Sequence, residues 1–145
     1  MLVDFYQLGS SPLEHVLPRI CERLIDAGER LLIVAAAEQL PRIDQQLWTH
    51  APDSFLPHGL AAGPNPERQP ILLADGVAPL NGATNIALAD GQWRDEALGF
   101  ARCFHFFDAA HSDGALAAWQ GLAARADVEA RYWKQGARGK WVKGP

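Results

Sequence analysis

Few residues in this chain stand at spacings that could do chemistry. Cys103 and His105 are two apart in the aromatic-rich run 101–107 (ARCFHFF). On a strand they would project to one face, the minimal arrangement for a thiol activated by an imidazole. The aromatic neighbours suit packing equally well. His15, His50, His58, His105 and His111 are scattered, and no C-x-x-C or H-x-x-x-H spacing offers a metal site. Gly136-Ala137-Arg138-Gly139-Lys140 resembles a fragment of a phosphate-binding loop. It lacks that loop's spacing, hydroxyl residue and strand-to-helix setting. Neither a G-x-G-x-x-G turn nor a G-x-S-x-G elbow occurs. No cofactor is expected, and a binding module is favoured over an enzyme.

Charge is unevenly placed. The net charge is −4, but residues 130–145 hold Arg131, Lys134, Arg138, Lys140 and Lys143 and no acid. That segment carries +5, and the 129 residues before it carry −9. A body so acidic is a poor ligand for a nucleic-acid backbone, because that binding rests on neutralising phosphates. The basic segment suits an acidic peptide or a phosphate group. Tyr132, Trp133 and Trp141 are interleaved with its charges, which argues against a solvated tail. The 145 residues are expected to form one α/β domain with a basic C-terminal segment at 128–145. No apolar run approaches the roughly 20 residues of a membrane helix. The start MLVDFYQLGSS has no basic region, and two cysteines in apolar stretches fit a reducing interior, so a cytoplasmic location is expected.

These groups must be positioned by regular elements. Residues 2–8 read as a strand, and Ser11, Pro12 and Glu14 read as a capping box opening a helix. Leu13, Val16, Leu17, Ile20, Leu24 and Ile25 recur at helical spacing, Pro18 predicts a kink or a later start, and Gly28 supplies the stop. The continuous apolar run 30–36 reads as a strand buried on both faces. Together these form a βαβ unit whose strands should be parallel. A second helix is expected over 38–50, an exposed loop over 59–69, and strands over 71–74, 85–89 and 101–107. A helix over 113–126 and a hairpin over 128–142 complete the pattern.

The most informative segment runs from Leu47-Trp48 to Ser54-Phe55-Leu56-Pro57-His58. Large aromatics where a helix yields to a proline-braced loop either anchor a protein interface or plug the core beneath the loop. Together with Asp4-Phe5-Tyr6-x-Leu8, the strand at 30–36 and Leu40-x-x-Ile43-Asp44-x-x-Leu47, this segment resembles the chi subunit family of bacterial DNA polymerase III. Tyr132-Trp133-Lys134 is similar to the family's ending.

The resemblance implies a three-layer Rossmann-like α/β fold, a mainly parallel sheet flanked by helices, without catalytic activity. It implies two partners: the psi subunit, and the acidic C-terminal tail of single-stranded DNA-binding protein. It places psi, or a helicase as alternative partner, at Trp48 and Phe55, with Pro57 and His58. Tail recognition in the family uses basic side chains of the last helix and C-terminal end around an apolar pocket. Here that role falls to Arg125, Arg131, Trp133, Lys134, Arg138 and Lys140, because the last helix is otherwise alanine-rich. Direct DNA binding and membrane association are not expected. The alternative is a small nucleotide-binding protein or enzyme using the βαβ crevice near residues 8–11.

Overall fold

The computed structural model describes residues 1–9, 12–50, 56–136 and 139–145. Its elements run β1 (Leu2–Gln7), α1 (Leu13–Asp26), β2 (Leu31–Val34), α2 (Leu40–Thr49), β3 (His58–Leu60) and β4 (Ile71–Ala74). They continue with β5 (Asn85–Leu88), β6 (Arg102–Phe107), α3 (Ser112–Ala123), β7 (Glu129–Gln135) and β8 (Trp141–Lys143). Among the described residues the strands form one 8-stranded sheet in the order β3-β4-β2-β5-β6-β1-β7-β8. All neighbours are parallel except β7 and β8, which pair antiparallel.

Burial explains the layering. Every residue of β2, β4 and β5 is buried, as expected for parallel strands covered on both faces. Leu31, Ile33, Ile71, Leu73, Phe104 and Phe106 pack against α1 and α2. Val3, Phe5, Leu32, Ile86, Cys103 and Phe107 pack against α3. The result is the three-layer, mainly parallel Rossmann-like arrangement that the resemblance implied.

Local detail adds to the expectations. Strands β1 and β2 are parallel, as expected, with β5 and β6 between them. Residues 58–60, placed largely in a loop by their composition, form edge strand β3 through pairing with β4. Three residues including a glycine carry too little pattern to show this. Extended Pro12 occupies the cap position of α1, and Ser11, the residue expected there, lies outside the described residues. The helix is continuous through buried Pro18. It stops where Gly28 takes φ +73°, a left-handed conformation that glycine adopts without steric cost.

Candidate protein-binding faces

The first face forms where α2 gives way to β3. Ile43 and Leu47 turn into the core, which leaves Trp48 on the outer side, 53% exposed. Asp44, one helical turn before Trp48, aims its carboxylate at the buried ring of His58, with Nε2 3.0 Å from Oδ1. The other ring nitrogen, Nδ1, faces the carbonyl oxygen of Leu56. A carbonyl only accepts, so Nδ1 donates and the ring orientation is fixed. The Trp48 ring rests on this imidazole at 4.8 Å between centroids. The structure therefore separates two residues that the sequence treated alike: Trp48 is presented to solvent, and His58 is the buried support beneath it. Pro57 is half-buried between Leu56 and His58, and Phe55 lies outside the described residues.

At the other end of the sheet, β1 carries a carboxylate in the core. Asp4 is fully buried. Arg131 donates from Nε (2.7 Å) and Nη2 (3.0 Å), Arg102 from Nη2 (3.0 Å) and Trp133 from Nε1 (2.9 Å). Burial alone would raise the Asp4 carboxyl, but the hydrogen bonds from Arg131, Trp133 and Arg102 outweigh it and hold it below the ordinary carboxylate range. The Arg131 guanidinium also lies 5.6 Å from the Trp133 ring.

This arrangement divides the basic set chosen from sequence. Arg131 and Trp133 lie on the α1 side of the sheet, engaged with Asp4. Lys134 is exposed and alternates to the α3 side, as neighbouring Tyr132 does by packing on Trp119. Arg125, just after α3, is held by Asp127 through Nε (2.9 Å) and Nη2 (2.7 Å). Lys140 is exposed, and Arg138 lies outside the described residues. The surface of α3 itself offers Ala117, Ala118 and Gly121, with no cation.

A groove of about 320 Å³ lies between α1 and the β7–β8 hairpin. His15, Arg19 and Arg23 line one wall, Gln135 and Trp141 the other, and Tyr6 the floor. Sequence reading passed over the α1 residues. The signal was present, since positions 15, 19 and 23 recur every four residues on one helical face.

A crevice of about 330 Å³ opens at the carboxyl ends of the central strands, the place where open α/β sheets take nucleotides. Glu14, Asp90 and Asp108 line it, against Arg42 and His111. Arg42 lies 3.9 Å from Glu14, and His111 lies 2.8 Å from Asp108. Pro12, at the start of α1, has no N–H to offer a phosphate. Three carboxylates and a missing donor disfavour a nucleotide there.

The pair Cys103 and His105 does face one side of the sheet, but both are buried. Burial pushes the Cys21 thiol up to about 12 and raises that of Cys103 further. Neither is a nucleophile at neutral pH. Among the described residues no cluster of histidine, cysteine and carboxylate can hold a metal ion. No helix among them is long and apolar enough to cross a membrane.

A family model described as DNA polymerase III chi subunit, HolC, matches residues 1–126. A search of curated proteins returns no match. The family match takes in β1 to α3 and the whole Trp48 face, and it ends before the β7–β8 hairpin. It extends past the N-terminal half in which the resemblance was plainest and includes both helical layers. The chain belongs to the DNA polymerase III chi subunit family.

Proposed function

We propose that the chain is a non-catalytic replisome adaptor that pairs with the psi subunit and binds the acidic C-terminal tail of single-stranded DNA-binding protein. The family match over residues 1–126 carries this reading. The two faces supply its chemistry. Psi, or a helicase in its place, docks on the aromatic face around Trp48, where Phe55, Pro57 and His58 complete the segment. Half-exposed aromatic rings on a rigid support are the usual anchors of such interfaces. The tail is taken at the basic, aromatic end, whose candidates are Arg125, Arg131, Trp133, Lys134, Arg138 and Lys140. The protein acts in the cytoplasm, without a cofactor, a membrane or direct contact with DNA.

Titration with a synthetic acidic peptide ending in Asp-Ile-Pro-Phe, at two salt concentrations, tests the tail-binding half. Modest affinity that weakens as salt rises is expected, because exposed charges carry the contact. No binding at low salt would remove this half of the reading. For the other half, Trp48→Ala is expected to change unfolding free energy by less than about 1 kcal/mol, since the ring is half exposed. The same change should weaken psi binding by more than about 2 kcal/mol. Unchanged psi affinity, measured by calorimetry, would place psi elsewhere.

A further inference from the structure

We propose that the groove between α1 and the β7–β8 hairpin is a docking site for an acidic peptide with an apolar end. This rests on the tail-binding reading above and gives it a place that includes α1, which that reading did not use. Two of the three acids of α1 turn toward α2: Glu14 accepts from Gln46 at 3.3 Å and lies 3.9 Å from Arg42, and Glu22 lies 2.8 Å from His50. The third, Asp26, ends the helix and does not line the groove. The helix's bases, His15, Arg19 and Arg23, are exposed toward the hairpin. Among the described residues no carboxylate lines the groove, and neither Arg19 nor Arg23 has an ion-pair partner. The sheet beneath adds to the positive field, because Asp4 is a single carboxylate shared by Arg102 and Arg131.

Apolar and aromatic side chains complete the groove beside polar Gln135. Tyr6 and Trp141 meet edge to face at 5.1 Å, and Val16 and Ile20 close the seat beneath the arginines. A volume of about 320 Å³ holds one or two large side chains. The two arginines offer planar forks to carboxylates, including a terminal one. Gly9 N–H donates to Gln135 Oε1 at 3.0 Å and ties β1 to the hairpin, so the wall carrying Trp141 is braced. The opposite surface, beside α3, suits such a peptide less well: its helix offers alanine and glycine, the carboxylate of Asp95 lies in its hollow, and Arg125 is engaged by Asp127. A nucleic acid is a poorer occupant, because the groove is short and set in a body of net charge −9 outside residues 130–145.

The test is fluorescence anisotropy of a labelled peptide ending in Asp-Ile-Pro-Phe with the full chain and three charge reversals. Arg19→Glu and Arg23→Glu should each weaken binding by about tenfold or more. Arg68→Glu makes the same change in net charge at the far edge of the sheet and should stay within about twofold of the unaltered chain. If the reversals fail to fold, Arg19→Gln and Arg23→Gln keep the helix and still remove the cations. Peptide binding that neither the Arg19 nor the Arg23 replacement weakens would overturn the groove and leave the adaptor reading standing. An unaltered chain that does not bind at low salt would overturn both.

Discussion

Replacing Asp4 by alanine is expected to lower the unfolding free energy by about 3 kcal/mol, read by chemical denaturation at neutral pH. Asp4 sits in a central strand with both neighbours, Val3 and Phe5, fully buried, so its charge is tolerated only because Arg102, Arg131 and Trp133 all donate to it. Removing the carboxylate leaves two guanidinium groups facing each other across the sheet without a counter-charge. The loss should fall at the low end of what breaking a buried ion pair costs, because the Arg102 and Arg131 side chains are 36% and 30% exposed and can turn to water. Its pH dependence has a definite sign. The Asp4 carboxyl is held below its ordinary value of 3.8, so its contribution is fully present above that pH and is lost as pH falls through the lower folded value. Asp4→Asn, which keeps the shape and loses the charge, should fall between the two. An Asp4→Ala protein as stable as the unaltered chain would show that the cluster contributes nothing to folding.

A second large effect is expected in mild acid, from His105. Its ring is enclosed by Phe5, Trp93 and Phe107, and neither nitrogen has a hydrogen-bond partner among the described residues. Burial drives its protonation from an ordinary 6.5 down to about 4. The folded state thus holds the ring neutral where the unfolded chain would protonate it. Stability is fully present above pH 6.5 and declines as pH falls toward about 4, by about 3 kcal/mol in total. His105→Leu removes the titration while filling similar space, so its stability curve should run flatter across that window. Parallel curves for the two proteins, from denaturation at several pH values, would contradict this account. The same burial explains why Cys103 and His105, close in sequence and on one face, form a packing pair with no reactivity.

The elements were largely legible in the sequence because they rest on local patterns. The helical spacing from Leu13 to Ile25, the glycine stop at Gly28, the apolar run of β2 and the hairpin around Gly136 and Gly139 all stand where residue periodicity put them. Strand order was not legible. That β1 inserts between β6 and β7, far from β2, depends on long-range pairing that no local period encodes. The lone Asp4 in an apolar strand hinted at a buried pair, but its partners lie about a hundred residues away. The Trp48 segment was legible as an interface candidate, yet only the fold separates exposed Trp48 from buried His58. At the basic end, composition counted charges correctly but not their engagements. Arg131 is committed to Asp4 and Arg125 to Asp127, while Arg19 and Arg23 on α1 line the groove beside the hairpin.

An adaptor must hold its two partners at once, and that is the most direct measurement. The full chain would be mixed with a psi subunit and a fluorescent acidic tail peptide, at low salt, and followed by sedimentation. A single species containing all three, with peptide affinity the same in the presence and absence of psi, is the predicted result. The Trp48 face and the basic groove lie at opposite sides of the molecule's sheet order, beside β3 and β8. Displacement of the peptide by psi, or failure of either to bind, would contradict the account.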